Sequence, residues 1–354
     1  MEDYKNELRE LVLTTIKEGA SDLHLSPGRH PTIRVFGSLI PLVNRPVLSP
    51  QDTKGLIYAM LNEKEKKQLE EIWEIDLSYA FEDKARFRVN VYHQKGLLSS
   101  ALRLIPNKIK TLEELNLPSV LGDFAQKEQG FFLVVGPIGH GKSTTLAAMV
   151  DQVNHNSSKH VLTIEDPIEY LYTQDKSIVD QREVRTDTLD FKTALRSMFR
   201  EDINVAMVGE MRDIETISTA ITAAETGHLI FSSLHTNNAA QTIDRIIDSF
   251  PSEQQNQIRS QLSSVLLGIF SQRLVPRISG GRIPAYELLI NTSPVKTLVR
   301  EGRTHEIDMV IETNYEAGMV SLNRSLAALV RDGEITMKDA VAYSLNPKGL
   351  EALF

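Results

Sequence analysis

The segment that most constrains this chain is Gly136-Pro137-Ile138-Gly139-His140-Gly141-Lys142-Ser143, which fits the pattern G-x-x-x-x-G-K-[ST]. The apolar run Phe131–Val135 precedes it, and a helix-forming stretch, residues 144–153, follows it. An apolar strand, a glycine-rich loop and a helix in this order are typical of a phosphate-binding loop. Its glycines let backbone amides turn towards phosphate oxygens at the positive end of the helix. The motif therefore predicts a nucleoside triphosphatase. The alternative is a glycine-rich turn that carries a chance lysine.

The positions of this loop have different expected roles. We expect Lys142 to bridge the β- and γ-phosphates of ATP, and Ser143 to offer its hydroxyl to Mg²⁺. His140 is expected to contribute mainly its backbone. The residues expected to bind ATP in this segment are Gly136, Pro137, Ile138, Gly139, His140, Gly141, Lys142, Ser143 and Thr144.

Carboxylates follow two apolar runs downstream of the loop. The run Val161–Ile164 ends in Glu165, and the run Val205–Val208 is followed by Gly209 and Glu210. Apolar runs that alternate with helices predict a parallel sheet, in which ligand-binding groups gather at the carboxyl ends of the strands. We assign Glu165 to the attacking water and Glu210 to the metal ion, partly through water. The reverse assignment fits the sequence as well.

Two histidines flank the next apolar run, Leu229–Ser233: His228 precedes the run and His235 follows it. Because the run is expected to point at the phosphate site, we interpret both histidines as catalytic, either as γ-phosphate sensors or as members of a water network. The alternative for each is a structural histidine with satisfied hydrogen bonds.

The hydrophobic pattern changes along the chain and predicts its domains. Residues 1–105 combine helical stretches with short alternating runs, which predicts an α+β domain on antiparallel strands. Residues 50–72 are expected to be helical. Residues 106–118, bounded by prolines, form a linker to an α/β core over residues 119–285. Residues 286–354 are expected to be mostly helical.

Composition excludes several classes of protein. The 354 residues contain no cysteine, so disulfide frameworks, thiolate zinc sites and cysteine nucleophiles are ruled out. The formal net charge of −8 argues against a general nucleic-acid binder. The sequence has neither an apolar run long enough to cross a bilayer nor a signal-peptide pattern. We therefore expect a cytoplasmic protein that binds no nucleic acid.

Several ordered motifs resemble those of the type IV pilus retraction ATPases, within the secretion-ATPase superfamily. Residues Thr163–Tyr170 are similar to the family's Asp box, Val208–Asp213 to its Walker B motif, and Thr226–Thr236 to its His box. The other matching segments are Ser21–Leu25, Arg86–Asn90, Thr111–Leu115 and the phosphate loop. The similarity extends over essentially the whole chain, so the set is more specific than any one motif.

The resemblance implies an N-terminal PAS-like domain, a C-terminal RecA-like ATPase domain and a homo-hexameric ring. It also implies peripheral association with the inner membrane through a pilus platform protein. Arg86, Arg88 and Arg103 become candidates for neutralising charge near the γ-phosphate. The alternative is that Arg86 and Arg88 form the solvated face of a strand. Ile138 and His140 depart from the Thr and Ser usual in the family, but neither is assigned to chemistry.

The segment Pro294–Glu301 partly resembles a further motif of the retraction ATPases and has an apolar stripe at helical spacing. Arg300 and Glu301 lie off that stripe. We expect this helix to transmit the nucleotide state to the retraction movement. The alternative is an ordinary packed helix with a charged edge.

Other functions fit parts of the sequence. Pilus-extension and type II secretion ATPases usually carry extra N-terminal domains and often a four-cysteine zinc element. A RecA-like nucleic-acid motor would need clustered basic residues with stacking aromatics, whereas aromatics make up 6% of this chain. A non-catalytic paralogue would not need Lys142, Glu165 and Glu210. The leading expectation is an ATP-hydrolysing motor for pilus retraction and twitching motility.

Overall fold

The computed structural model describes residues 2–35, 37–82, 85–105 and 108–354. The chain divides into two units. The first unit is Met1–Lys108 together with Pro167–Leu171, and the second is Ile109–Asp166 together with Tyr172–Phe354. Both contain helices and strands, so the fold belongs to the mixed α/β type. Residues 106 and 107, the start of the expected linker, lie outside the described residues.

The first unit is built on a six-stranded antiparallel sheet in the order β3-β2-β1-β6-β5-β4. Its elements are α1 (Glu2–Lys17), β1 (Asp22–Leu25), β2 (Thr32–Val35), β3 (Ser38–Pro41), α2 (Pro50–Met60), α3 (Glu63–Ile72), β4 (Glu74–Phe81), β5 (Ala85–Gln94) and β6 (Leu97–Ile105). Strand β5 alternates as the sequence predicts, with Phe87, Val89 and Val91 fully buried on one face. That face packs against α1 and α2 in one apolar core.

The region that the sequence predicts to be helical, residues 50–72, consists of two helices. The first, α2, ends at Met60, and α3 begins after Asn62. Asn62 Oδ1 accepts a hydrogen bond from the Glu65 N–H, and the Glu65 carboxylate accepts one from the Asn62 N–H. This reciprocal pair is a capping box, which satisfies backbone donors that a continuous helix would bond internally. The local cap therefore starts a new helix inside a run of helix-forming residues.

The second unit contains a seven-stranded sheet in the order β13-β12-β7-β11-β10-β8-β9, parallel throughout except for β13. Its elements as far as β13 are α4 (Val120–Ala125), β7 (Gly130–Val135), α5 (Lys142–Asn156), β8 (His160–Glu165), β9 (Ile178–Glu183), α6 (Phe191–Met198), β10 (Val205–Val208), α7 (Ile214–Glu225), β11 (Leu229–Leu234), α8 (Ala239–Asp248), α9 (Ser252–Val265), β12 (Leu266–Pro276) and β13 (Arg282–Ile290).

The strands β7, β10 and β11 are buried along their whole length, as the continuous apolar runs predict. Phe131, Leu133 and Val135 of β7 belong to one apolar cluster, whereas Phe132 and Val134 belong to another on the opposite face. Helices cover both faces of the sheet in this way. The carboxyl ends of β7, β11, β10 and β8 consequently lie side by side at one edge, which we call the carboxyl edge.

The helical region expected from residue 286 begins at Ser293, because residues 282–290 form β13. Its helices are α10 (Ser293–Glu301), α11 (Ile307–Thr313), α12 (Leu322–Arg331), α13 (Met337–Tyr343) and α14 (Pro347–Glu351), with 3₁₀ turns at Thr304–Glu306 and Tyr315–Ala317. The apolar stripe of α10 is buried, as expected. Within the described ranges, every helix is too short or too polar to cross a bilayer.

Candidate nucleotide-binding site

The loop between β7 and α5 has the conformation that its glycines predict. Gly136, Gly139 and Gly141 have φ values of 144°, 76° and 83°, which side chains disfavour. A Cβ on Gly136 would also lie 2.3 Å from the backbone oxygen of Gln272 on the neighbouring strand β12. Only glycine fits there. The loop thus turns sharply out of β7 and enters α5 through Gly141, its N-cap residue.

Lys142 is the first residue of α5 and its side chain is largely buried. Lys142 Nζ donates a hydrogen bond to the Pro137 carbonyl oxygen at 2.9 Å, across the loop. The same nitrogen lies 3.2 Å from Nδ1 of His235. The ammonium group is therefore folded back into the loop, at the place where phosphate oxygens are expected. Ser143, the next residue, is exposed at the first turn of the helix.

His235 lies between Lys142 and Glu210. It follows β11 directly, and its Nε2 lies 3.9 Å from the Glu210 carboxylate, which also pairs with Arg212 at 2.8 Å. Partial burial, and then the positive charge of Lys142, lower the pKa of His235 below its ordinary value. This shift favours the neutral ring. Because the Lys142 ammonium group can only donate, we assign Nδ1 as its acceptor and the ring proton to Nε2, the nitrogen nearer to Glu210. Three of the residues predicted from sequence are brought together here.

Glu165 ends β8, one strand beyond Glu210. Its side chain is buried, and Oε1 accepts hydrogen bonds from Thr163 Oγ1 at 2.8 Å and from Gln181 Nε2 at 3.3 Å. Two donors from β8 and β9 thus fix the carboxylate orientation. Glu165 and Glu210 both lie at the carboxyl edge, as predicted.

The structure does not bring His228 to this edge. It precedes β11, whereas His235 follows it, and a strand rises by about 3.3 Å per residue, so the two rings lie at opposite ends, roughly 20 Å apart. The Nδ1 of His228 is 3.0 Å from the Ala223 carbonyl oxygen near the end of α7, and its ring packs edge-on against Phe199. The prediction that both histidines share one site is therefore corrected, because the strand between them separates them.

The three candidate arginines belong to the first unit. Arg86 and Arg88 share one face of β5, and Arg103 lies directly opposite Arg88 on β6. Arg86 Nε donates to Ser78 Oγ at 2.5 Å, and Arg103 pairs with the buried carboxylate of Asp22 at 3.0 Å. These arginines therefore form a basic cluster on one face of the antiparallel sheet.

The sequence motif does not predict two sets of hydrogen bonds that the phosphate loop makes. The ring of His140, expected to be neutral to the site, accepts a hydrogen bond at Nδ1 from the Leu274 N–H at 2.9 Å. Gln272 bonds both the loop and α5. The signal that could have indicated Gln272 is the run of three polar residues, Ser271, Gln272 and Arg273, inside the largely apolar segment that forms β12.

The parallel sheet, the loop and the carboxyl-edge residues define a P-loop nucleoside triphosphatase. The family model described as "Type II/IV secretion system protein" matches residues 4–281. The chain belongs to this family.

Among curated proteins, the chain is 46% identical to the type IV pilus retraction ATPase PilT of Pseudomonas aeruginosa over 334 residues, which cover 94% of this chain and 97% of that protein. It is 41% identical to a twitching motility protein of Neisseria gonorrhoeae over 90% of this chain and 86% of that protein. A crystal structure of the pilus retraction motor PilT with bound ADP matches with a TM-score of 0.92 and 45% identity, covering 97% of this chain and 98% of the other. The family resemblance inferred from the motifs is confirmed.

Proposed function

We propose that this chain is an ATP-hydrolysing motor that powers type IV pilus retraction and twitching motility. The observation that carries this proposal is the near full-length similarity to PilT, in sequence and in structure. The carboxyl-edge residues supply the chemistry that such a motor needs. A similarity confined to the nucleotide-binding half would support only a generic nucleotide hydrolase.

In the proposed reaction, Lys142 moves from the Pro137 carbonyl to the β- and γ-phosphates of ATP and neutralises charge that develops during phosphoryl transfer. Glu165, held by Thr163 and Gln181, orients and deprotonates the attacking water. His235 links Lys142 to Glu210, so a shift of Lys142 onto phosphate would be sensed at Glu210.

Mg²⁺ fits the donors of this edge, because the Ser143 hydroxyl and the Glu210 carboxylate are the hard oxygen ligands that it prefers. When bound there, it would neutralise negative charge between the β- and γ-phosphates. Glu210 would hold it partly through water. His228 is left out of this proposed site, because it lies at the other end of β11.

The proposal extends to the architecture. We infer a PAS-like domain over residues 1–105, a linker over 106–118 and a RecA-like core from residue 119 that includes the whole of β13 to residue 290. A helical region follows from Ser293. The motor would work as a homo-hexamer, in the cytoplasm at the inner-membrane face, on a pilus platform protein. What supports these inferences is the similarity to PilT over nearly the whole chain.

Arg86, Arg88 and Arg103 are proposed as cations that neutralise the phosphates of a bound nucleotide. The support is their position on one sheet face, where Arg103 lies directly opposite Arg88 and the side chains concentrate positive charge. Asp22 already pairs with Arg103. The oxygens of a phosphate chain match the forked N–H donors of arginine side chains.

The experiment is complementation in two bacterial strains. A strain that lacks its own retraction ATPase should regain pilus retraction, measured as twitching zones and as retraction force in an optical trap. The Glu165→Gln variant should express and fail. Rescue of pilus assembly in a strain that lacks its extension ATPase, without rescue of retraction, would favour the pilus-extension alternative instead.

A further inference from the structure

Gln272 of β12 is a buried polar residue that contacts the phosphate loop from outside its motif. Its side chain is 2% exposed. Oε1 accepts a hydrogen bond from Thr145 Oγ1 at 2.6 Å, and Nε2 donates one to the His140 carbonyl oxygen at 2.8 Å. One amide group therefore joins the first turn of α5 to the tip of the loop. Gln272 and His140 are 132 positions apart in the chain.

The backbone of β12 contacts the same loop twice more. The Gln272 carbonyl oxygen lies so close to Gly136 that no side chain fits between them. Two residues further along β12, the Leu274 N–H donates to Nδ1 of His140. The strand thus touches the loop where it leaves β7, at its tip and, through Thr145, where it enters the helix.

We propose that Gln272 is a positioning residue of the nucleotide site, which holds the loop in the conformation that directs its amides at phosphate. The inference rests on the proposed ATP site. The three positive-φ glycines give the loop many alternative conformations when nothing restrains it. A loop that is already ordered avoids the entropy cost of being ordered by the ligand, and so binds phosphate more tightly.

The polar chemistry explains why an amide is required at this position. A buried donor or acceptor left without its partner costs about 1–3 kcal/mol. Removing the Gln272 amide would leave the Thr145 hydroxyl and the His140 carbonyl without this hydrogen-bond partner. A carboxylate at residue 272 would still accept from Thr145 but would face the His140 carbonyl oxygen with another acceptor. The loop would then relax to recover hydrogen bonds.

The test measures nucleotide binding by Gln272→Met, which keeps the side-chain length and removes both polar atoms. The matched control is Asn154→Leu, at the far end of α5, about 14 Å along the helix axis from Thr145. Asn154 is also a fully buried amide, donating to the Thr173 carbonyl oxygen at 2.7 Å. We expect both variants to lower the thermal unfolding midpoint. Only Gln272→Met should weaken binding of a non-hydrolysable ATP analogue and of inorganic tripolyphosphate, by about tenfold.

A second pair of variants keeps the test decisive if Gln272→Met does not fold. Thr145→Val removes only the hydroxyl that bonds Gln272, and Thr145→Ser restores it. We expect weaker binding for valine and recovery for serine. Wild-type affinity in folded Gln272→Met or in Thr145→Val would overturn the positioning role of Gln272. Absence of ATP binding by the unmodified protein would instead overturn the proposed function itself.

Discussion

The two edges of the seven-stranded sheet use the same residue types for different purposes. At the carboxyl edge, His235 lies 3.2 Å from Lys142 on one side and 3.9 Å from Glu210 on the other. At the opposite edge, where the parallel strands begin and which we call the amino edge, His228 bonds the backbone near the end of α7. At the same edge, the N–H of His160 donates to Asn204 Oδ1 at 2.8 Å. Polar groups at the amino edge join elements together, whereas those at the carboxyl edge converge on the phosphate loop. The position of a residue along its strand, and not its type, determines whether it belongs to the candidate nucleotide site or stabilises the fold.

The largest effect should come from the carboxylates of the carboxyl edge. Glu165→Gln should retain ATP binding and lose about 10²- to 10⁴-fold in turnover, because the amide keeps the shape and cannot take a proton. Glu210→Gln should chiefly raise the Mg²⁺ concentration needed for activity. Steady-state ATP hydrolysis at several Mg²⁺ concentrations measures both. Normal turnover by Glu165→Gln together with loss in Glu210→Gln would reverse the two assignments.

Glu287 is a buried carboxylate on β13 that lies beside the carboxyl edge. It allows the comparison to be tested through the free energy of unfolding. It lies opposite Ser271, which lies opposite Val135, the last residue of β7. Its Oε1 accepts the N–H of Ala239, the first residue of α8, at 2.8 Å. Burial raises the pKa of Glu287 to about 7. The charged form is therefore costly in the folded chain.

This raised pKa sets a pH dependence with a definite sign. The folded state holds the Glu287 proton more tightly than the unfolded state, so its contribution to stability falls as the pH rises from about 4.5 to about 7, and stays low above that. Glu287→Gln removes the charge and leaves an acceptor for Ala239. It should raise the free energy of unfolding by up to about 3 kcal/mol at pH 8 and change it little at pH 4.5. Urea unfolding at both pH values measures this. Equal effects at the two would contradict the assignment.

The two histidines that flank β11 give the most direct contrast between the edges. His235→Ala should lower ATP turnover by about tenfold or more, since it removes the link between Lys142 and Glu210. His228→Ala should leave turnover within about twofold and cost about 1 kcal/mol of stability, through the lost bond to Ala223. Parallel hydrolysis and unfolding measurements separate the two effects. An activity loss confined to His228→Ala would invert the comparison.

The smallest effect on hydrolysis should come from α10. Arg300 is exposed at its end, and Glu301 pairs with Arg303 at 2.9 Å on the surface. Replacing both Arg300 and Glu301 by Ala spares the buried stripe and should cost less than about 0.5 kcal/mol of stability. We expect unchanged ATPase activity and assembly with loss of pilus retraction in the complementation assay. Full retraction would show that α10 is an ordinary packed helix.

Local pattern was enough to predict the phosphate loop and its two flanking elements, because strand, glycines and helix are adjacent in sequence. It also predicted Glu165 and Glu210, since each directly follows an apolar run. The contribution of Gln272 could not be predicted, because it depends on β12 pairing with β7. The prediction for His228 fails for a related reason. Two residues that flank one strand are close in sequence, but they lie at opposite edges of the sheet.

The proposed hydrolysis of ATP at the carboxyl edge depends on Lys142. Two lysines allow a matched measurement, because Lys159 lies at the amino edge, where its Nζ pairs with Glu128 at 3.2 Å. Steady-state ATP hydrolysis should fall by about 100-fold or more in Lys142→Ala, which lacks the cation that faces the phosphoryl group. It should stay within about twofold in Lys159→Ala. Wild-type turnover by Lys142→Ala, or an equal loss in both variants, would contradict this account.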